Sequence, residues 1–473
     1  MENIVLYTVI LAPLLGAFTL PIFGRISPKL RDIAALLYVA AALVCAAALV
    51  PFVLRGDNVY VAFSLPYGFS FGFLADALAV FMAVAATSVA VFIVIYSWGY
   101  INGHEHQNEY YFMVVLFIGA MMGLVFSTNL ILIYTFWEIS ALCCWRLIGF
   151  YREELTIVRA NKAFIVTVLG ALIMLVGFVG IYGEYGTFDM MEMKGKTLPL
   201  WIVVLILFGI LSKSATFPLH SWLPDAGVAP SPVTSLLHAA VLVKIGVYAY
   251  ARLFVITFDI SKAFTVALPV IAAVSALVSA GAAMTAKDIK RVIAYSTISQ
   301  LAFILLGLSC GTETGFVGGL LYILAHSVAK GGLFLCAGIV EHSLHTKDLD
   351  KMGGLWRRFP LTAVAFALCA FSVMGIPPFS GFFAKYLVIE GIIDAGHPII
   401  GAVFIAGAVM TVMYLTRVFA LVFLGKESGY HPEAREGSTV MIGSVMALGV
   451  IALILGILIF LPGGLVSAVT EVI

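Results

Sequence analysis

Ionisable side chains recur inside the long apolar runs of this chain. A lysine at the centre of a membrane-spanning helix costs roughly 2.5–3.5 kcal/mol on insertion scales. Ionisable groups that are retained at such a cost usually belong to ion or proton pathways. Residues 213–244, which also contain a proline-rich break, are therefore predicted to form half of an ion path. The candidates in and before this stretch are Glu138, Lys213, His220, His238 and Lys244.

Glu138 and Lys213 are predicted to form a carboxylate–ammonium pair on two neighbouring helices. The proton affinity of each member of such a pair depends on the distance between them, so small movements can release or capture a proton. The alternative is a charge pair that only holds the two helices together. His220, just beyond the proline break, is either a proton relay or a histidine satisfied within the core.

Two polar stripes repeat every fourth residue, a spacing that places their members on one face of a helix. The first is expected to continue the path begun by His238, with its last residue extending to the outer interface. The second is predicted to be a protonatable ladder. Its alternative has the histidine bonded to a backbone carbonyl and the lysine holding a neighbouring helix. The stripes are Lys244, Tyr248 and Arg252, and Tyr322, His326 and Lys330.

A second proline break, GIPPFSG at 375–381, precedes Lys385 and Glu390. Lys385 is predicted to be the terminal proton site, in contact with an outer half-channel, and Glu390 is a secondary candidate. A snorkelling lysine is the weaker alternative, because apolar and aromatic side chains are expected to surround Lys385. These neighbours are Phe382, Phe383, Tyr386 and Leu387.

Other polar residues have simpler explanations. Asp76 begins an apolar run and is a possible secondary site, although a cap or a subunit contact explains it equally well. Asp225 is expected to cap or orient the first break. The loop at 103–109, GHEHQNE, contains H-x-H but is more typical of a solvated loop than of a metal site. Residues 287–291 are expected to anchor the chain at the cytoplasmic interface.

Composition identifies a polytopic membrane protein. Of 473 residues, 62% are hydrophobic and 11% are charged, whereas soluble domains have about 25% charged residues. A net charge of +1 argues against a nucleic-acid partner. The six cysteines form no CxxC pair, so we expect no metal, cluster or other cofactor. The first apolar run has no cleavage site and is predicted to be a span rather than a signal peptide.

About 20 apolar residues are needed to cross a bilayer, and an all-α fold of fourteen spans is predicted. Loops after odd-numbered spans contain fourteen Lys and Arg residues and loops after even-numbered spans contain five. This bias predicts cytoplasmic odd loops and both termini outside, in the plasma membrane of a prokaryote. The spans are 4–23, 33–54, 74–97, 110–127, 129–150, 161–183, 200–221, 232–255, 264–285, 292–309, 315–340, 361–392, 400–424 and 439–461.

The two proline breaks fall in the seventh and twelfth spans, five spans apart. An odd offset inverts one copy of a repeat relative to the other, and paired broken helices are typical of inverted-repeat transporters. We therefore predict five-helix repeats at 106–256 (helices 4–8) and 257–425 (helices 9–13). Residues 1–105 then form three peripheral helices (helices 1–3), and residues 426–473 contain helix 14.

Several of these segments resemble one family, the antiporter-like proton-translocating subunits. Such subunits occur in complex I, multisubunit cation/proton antiporters, membrane-bound NiFe hydrogenases and formate hydrogenlyases. The resemblance extends from span 3 to span 13. It is carried by WE at 137–138, KSATFPLHSWLPDA at 213–226, APSPVTSLLHAAVLVKIGVY at 229–248, DIKRVIAYSTISQ at 288–300, AHSVAKGGLFLCAGIVEH at 325–342 and GIPPFSGFFAKYLV at 375–388.

The resemblance implies fourteen helices in two inverted five-helix repeats and a lateral proton path at mid-membrane. It matches Glu138, Lys213, Lys244 and Lys385 to the family's glutamate–lysine pair, central lysine and terminal site. It matches His238 and the His326/Lys330 pair to the connecting relay. The sequence ends soon after span 14, so the long lateral helix of the largest member is not expected. One paralogue has a glutamate at the position of Lys385.

These observations predict a proton-translocating subunit of a redox-driven respiratory or hydrogenase complex, with no redox centre or cofactor of its own. Expected partners are further antiporter-like subunits, small membrane subunits, the bilayer, and peripheral redox subunits indirectly. The transported ion is expected to be H⁺. The alternative is exchange of Na⁺ for H⁺. One alternative is a subunit of a non-redox Na⁺/H⁺ antiporter, and another is a non-transporting scaffold. A self-contained enzyme fits least, because no nucleotide loop or cluster motif is present.

Overall fold

The computed structural model describes residues 2–64, 70–426 and 434–471, and most of these residues are helical. Within the described residues, twelve helices are long and apolar enough to cross a membrane. They are α1 Glu2–Ile26, α2 Pro28–Val53, α3 Ala77–Tyr100, α4 Gln107–Phe126, α5 Leu130–Ile148, α6 Glu154–Tyr185, α8 Ser231–Thr257, α9 Phe264–Thr285, α10 Ile289–Ser309, α11 Glu313–Leu344, α14 Pro398–Leu424 and α15 Thr439–Ile457.

The two remaining predicted spans are broken helices, as expected from their prolines. The seventh comprises α7 Leu200–Lys213, followed by an irregular segment and a helical turn at Trp222–Asp225. The twelfth comprises α12 Pro360–Met374 and α13 Ser380–Asp394. Between α12 and α13, Gly375 adopts φ +81°, a left-handed conformation that only glycine adopts without a steric cost. The fold class and the broken helices 7 and 12 are confirmed, and α16 Phe460–Thr470 follows the last predicted span.

The eighth span is less regular than its stripe of polar residues suggests. Two segments of α8 are π-helical, Leu236–Ala240 and Ala251–Thr257. They contain His238 and Arg252. A π-helical turn redirects side chains within an otherwise continuous helix, and such turns are frequent at functional sites.

A hairpin outside the helices was not predicted. Strand β1, Val59–Ser64, pairs in antiparallel register with β2, Ser70–Ala75. Alternation of larger apolar residues at Val59, Val61 and Phe63 is a strand signal, but it is short beside the long helical runs on either side. Two shorter strands, Lys196–Thr197 and Phe258–Asp259, pair in parallel.

Burial divides the helices into central and peripheral groups. Helices α8, α10 and α11 are almost entirely buried, whereas α2 and α14 leave most of their residues uncovered. The uncovered side chains are mainly leucine, isoleucine and valine, which suits contact with lipid or with other membrane subunits. Helices α8 and α11 carry four of the eight proton-path candidates, and the fold places these four away from lipid. They are His238, Lys244, His326 and Lys330.

Candidate proton path through the centre of the bundle

Lys244 and His326 are in direct contact at the centre of the bundle. Nζ of Lys244 on α8 lies 2.6 Å from Nδ1 of His326 on α11, and both side chains are buried. Of these two groups only the imidazole can accept a hydrogen bond from an ammonium group, and only when Nδ1 is unprotonated. The contact is therefore suited to passing a proton between the two residues.

Lys330, one helical turn beyond His326, is bonded to α10. Its Nζ donates to Oγ of Ser296 at 2.5 Å and to the carbonyl of Ile293 at 3.3 Å. The hydroxyl of Tyr414, on α14, donates to the same Ser296 oxygen at 2.9 Å. Lys330 thus holds the neighbouring helix α10, which was the structural alternative for this residue. It also begins a chain of hydroxyl groups.

Gln300 connects this chain to the far side of the bundle. Its Nε2 donates to the hydroxyls of Thr411 and Tyr414, each at 3.1 Å. Its Oε1 accepts from the hydroxyl of Tyr322 at 2.5 Å. Four residues of this network were not predicted from the sequence, namely Gln300, Ser296, Thr411 and Tyr414. The available signal was a buried amide four residues after a serine inside an apolar helix, and an amide both donates and accepts.

Lys385 lies at the second break, close to this network. Its Nζ donates to the carbonyl of Val373 at 2.7 Å and lies 4.7 Å from the ring centroid of Phe303 and 5.7 Å from that of Tyr322. The side chain is buried. Of the four expected neighbours, Tyr386 is 56% exposed. The rings that contact Lys385 come from α10 and α11, which chain proximity does not reveal.

Glu138 and Lys213 are near each other but do not form an ion pair. Nζ of Lys213 donates to the backbone carbonyl of Trp137 at 3.1 Å and lies 5.2 Å from the Trp137 ring centroid. Among the described residues, no salt bridge joins Glu138 to Lys213, and Oε1 of Glu138 has no hydrogen-bond partner. Lys213 is fully buried and Glu138 is half-buried. The structure therefore presents the pair in a separated arrangement.

The histidines of the first half differ in their environments. His238 is completely buried, and its ring centroid lies 4.4 Å from that of Phe334. Within the part of the chain that the structure describes, neither ring nitrogen has a hydrogen-bond partner. Buried polar groups nearly always have a partner, so this ring is an exception that suggests function. His220 is half-buried beside Phe217 and lies at the edge of the break.

Asp76, Arg252 and Tyr248 form a separate cluster near the end of α8. Asp76 caps α3 by accepting from the Ala79 amide at 2.9 Å, and its two oxygens accept from Arg252 at 2.5 and 2.7 Å. Arg252 also donates to the hydroxyl of Tyr248 at 2.9 Å. The expectation that Arg252 extends to the interface was wrong, because the side chain is buried by its ion pair. A cavity of about 120 Å³ adjoins this pair.

Partners distant in sequence also determine the roles of two further residues. Asp225 does not cap a helix, but it accepts from Lys162 at 2.7 Å and Arg291 at 3.2 Å, contacts that can orient the break, which was the other expected role. Lys290 is not an interfacial anchor, since its side chain is 1% exposed and lies 2.5 Å from Glu341. Neither residue could be paired correctly from its neighbours in the chain.

Two remaining candidates stay outside the network. Glu390 is half-buried on α13, and no described hydrogen bond joins it to Lys385. In the segment 103–109, Glu109 lies in the first turn of α4, where it accepts from Arg152 at 2.7 Å and also from Arg146. No cluster of three or more potential metal ligands occurs among the described residues.

Residues 127–411 match the family described as NADH:quinone oxidoreductase/Mrp antiporter, TM. The chain belongs to this family. Residues 63–111 also match the family described as NADH-Ubiquinone oxidoreductase (complex I), chain 5 N-terminus. Membership makes this chain an antiporter-like, multi-pass membrane subunit.

Curated relatives of this family member have two kinds of name. The chain is 31% identical over 98% of its length to Na(+)/H(+) antiporter subunit A1 of Staphylococcus haemolyticus, of which it covers 62%. It is 32% identical over 90% of its length to NAD(P)H-quinone oxidoreductase chain 5 of Synechocystis, of which it covers 67%. The chain thus spans less than two thirds of the antiporter subunit.

Two solved structures share the fold of this family member. A chain of the Mrp complex from Dietzia sp. DQ12-45-1b has a TM-score of 0.89 and 23% identity, with 98% of this chain and 97% of that chain covered. A chain of the membrane-bound sulfane sulfur reductase, an archaeal respiratory membrane complex, has a TM-score of 0.91 and 24% identity, with 99% and 97% covered. At these identities the likeness establishes the fold.

Proposed function

We propose that this antiporter-like subunit moves protons laterally along buried groups at the centre of the membrane. The contact that carries the proposal is the 2.6 Å approach of Lys244 to His326. Two buried basic groups in contact repel each other when both are protonated, and here no carboxylate lies between them to offset the repulsion. A proton that arrives at one of them favours release from the other, which is the behaviour that a relay requires.

From Lys244 to His326, and from Lys330 to Lys385, the order of transfer follows observed contacts. Protons pass from Lys213 past His238 to Lys244, then to His326 and to Lys330, which lies one turn along α11. From Lys330 they continue through the Ser296, Tyr414 and Gln300 network to Tyr322 and Lys385. A change of one pKa unit corresponds to about 1.4 kcal/mol, so modest movements of α8 or α11 suffice to direct the transfer.

Glu138 is proposed to be the control point of the path. In the separated arrangement the ammonium group of Lys213 is bonded to the Trp137 carbonyl, only one residue from Glu138. A small rotation of α5 would bring the carboxylate into contact with Lys213 and hold the proton there. Since Glu138 is half-buried, its uncovered side is available to a neighbouring subunit. His220, at the edge of the same break, is the proposed link to the outside of the bundle.

We propose the same organisation and placement as the sequence predicts. The repeats are 106–256 and 257–425, each with one broken helix, and 1–105 and 426–473 are peripheral. The loop charges support cytoplasmic odd loops and both termini outside, in a prokaryotic plasma membrane. Proposed partners are further antiporter-like and small membrane subunits, with peripheral redox subunits coupled through them. Asp76, Tyr248 and Glu390 are assigned no transfer step.

The first candidate for the driving reaction is electron transfer in attached redox subunits. It is supported by the relative named NAD(P)H-quinone oxidoreductase chain 5 and by the fold shared with a respiratory membrane complex. The second candidate is exchange of Na⁺ for H⁺. It is favoured by the antiporter subunit A1 from Staphylococcus haemolyticus, whose similarity extends over 98% of this chain.

The test uses inverted membrane vesicles that contain the assembled complex, with either wild-type subunit or Lys244→Ala. Proton movement is followed with a pH-sensitive dye after addition of the electron donor and, separately, after a step in Na⁺ concentration. We expect Lys244→Ala to lower the rate by about 10²-fold, the usual contribution of one acid–base group. The stimulus that drives the wild type identifies the driving reaction. Unchanged transport in Lys244→Ala would leave a scaffold role instead.

A further inference from the structure

A second group of charged residues lies at the predicted cytoplasmic end of the bundle, where α10 begins and α11 ends. Its centre is the carboxylate of Glu341. Nζ of Lys290 lies 2.5 Å from this carboxylate, the hydroxyl of Ser231 donates to it at 3.0 Å, and Nζ of Lys347 lies 3.6 Å away. The proton path proposed above does not include this group.

This cluster connects the solvent to the protein interior. The side chain of Lys290 is 1% exposed, that of Glu341 is 19% exposed and that of Lys347 is 31% exposed. Ser231 is fully buried. Protons can therefore reach the carboxylate from one side, while its hydrogen bond to Ser231 points into the bundle.

From Ser231, hydroxyl groups continue along one face of α8. Thr234 and Ser235 follow at three and four residues, and His238 at seven, so all four residues lie on the same side of the helix. All are fully buried. At 1.5 Å per residue, the distance from Ser231 to His238 along the axis is about 10 Å.

The same face of α8 is packed against α11. The hydroxyl of Ser235 donates to the carbonyl of Gly331 at 3.2 Å, and the ring of His238 lies against Phe334. The hydroxyl of Thr234 likewise donates to a backbone carbonyl, that of Ser231. The row of hydroxyls ends at a buried imidazole whose two nitrogens both lack a hydrogen-bond partner among the described residues. A buried base without a partner, at the end of a row of hydroxyls, is suited to receive a proton from them.

We propose that Glu341 is the proton uptake group on the cytoplasmic side and that Ser231, Thr234 and Ser235 pass its protons to His238. The proposal rests on the function proposed above and identifies where protons join the path. A proton from the cytoplasm binds the carboxylate and is handed to the Ser231 hydroxyl, which releases its own proton onward. A ring nitrogen of His238 takes up the last one. Only O–H and N–H bonds form or break.

Lys290 allows the carboxylate to change its protonation state. Besides Glu341, its Nζ contacts the carbonyl of Ala229 as a donor at 3.1 Å. When Glu341 is protonated and the ion pair weakens, the ammonium group still has a hydrogen-bond acceptor in the buried site. Loss of the ion pair therefore leaves Lys290 hydrogen-bonded but without a counter-charge, which is less unfavourable than a buried ammonium group with no acceptor at all.

The main competing explanation is that Glu341 and Lys290 only lock α11 to α10. The first experiment compares Glu341→Gln, Glu341→Asp and Glu313→Gln in the assembled complex, in the vesicles described above. Glu313 is a matched control, because it lies at the opposite end of α11 and is exposed. We expect Glu341→Gln to lower the proton transfer rate by about tenfold or more, Glu341→Asp to restore part of it, and Glu313→Gln to leave it unchanged.

The second experiment removes the lock without restoring the carboxylate. If the pair is only a lock, the double variant Lys290→Gln/Glu341→Gln regains transport, because no unpaired charge remains buried. If Glu341 takes up protons, the double variant stays as slow as Glu341→Gln. Ser231→Ala, which removes the first hydroxyl of the row, is expected to slow transport too. Subunit abundance in the membrane is measured for every variant, so that rates are compared per assembled complex.

The failure of this proposal can be distinguished from failure of the proposed function. Wild-type rates in Glu341→Gln, or recovery in the double variant, together with loss of transport in Lys244→Ala, would overturn the assignment of Glu341 alone. Wild-type rates in Lys244→Ala would overturn the function itself.

Discussion

The hydroxyl of Tyr322 donates a 2.5 Å hydrogen bond to Oε1 of Gln300, and through this contact the surroundings of Lys330 and Lys385 join into one network. On one side, Gln300 reaches Ser296 and Lys330 through Tyr414. On the other, the ring of Tyr322 lies beside Nζ of Lys385. Gln300 is therefore the junction between the central and terminal lysines.

Gln300→Leu should interrupt this junction. It removes an acceptor from Tyr322 and a donor to Thr411 and Tyr414, and each buried polar group left without a partner costs about 1–3 kcal/mol. We expect a lower unfolding temperature in detergent and slower proton transfer. Ser299→Ala is the matched control, since the neighbouring Ser299 is buried and no described residue forms a hydrogen bond with its hydroxyl. Equal behaviour of the two variants would contradict a role for Gln300.

Lys244→Arg tests whether the central lysine must release its proton. A guanidinium group retains its positive charge at physiological pH, whereas a buried ammonium group can lose its proton. We expect the arginine variant to be present in the membrane yet to transport protons about 10²-fold more slowly. Lys262→Arg, in an exposed loop, should transport normally. Normal transport in Lys244→Arg would mean that the charge alone is required.

Asp76→Asn or Arg252→Met should destabilise the subunit. Either change leaves one charge of a buried pair without its partner, a loss of about 3–5 kcal/mol. The double variant should be more stable than either single variant, because it buries no unpaired charge. Thermal unfolding of purified complex measures this order. Arg55→Gln provides the control, because the Arg55–Asp57 pair is exposed on both sides and should contribute little.

Glu138→Gln should separate transport from stability. Oε1 of Glu138 has no hydrogen-bond partner in residues 2–64, 70–426 and 434–471, and Lys213 is already bonded to the Trp137 carbonyl. The uncharged variant should therefore fold and assemble as the wild type does, while proton transfer slows by about tenfold or more. A marked fall in unfolding temperature would instead indicate that Glu138 mainly holds helices together.

The sequence determined the membrane class, the position of nearly every span and both breaks. These follow from local properties, because apolar runs of sufficient length must be helical in a bilayer and prolines at 218, 377 and 378 interrupt them. It also located the ionisable residues Lys213, Lys244, His326, Lys330 and Lys385. An ionisable residue inside an apolar run can be recognised from the sequence alone, whichever helices the run packs against in the fold.

Only the tertiary structure decided the partners of these residues. Lys244 meets His326 across 82 positions of the chain, Asp76 meets Arg252 across 176, and Glu341 meets Ser231 across 110. Such contacts depend on which helix faces meet, and helical periodicity fixes only the face within one helix. For the same reason the sequence predicted an ion pair between Lys213 and Glu138, whereas in the fold the ammonium group of Lys213 donates its hydrogen bond to the carbonyl of Trp137.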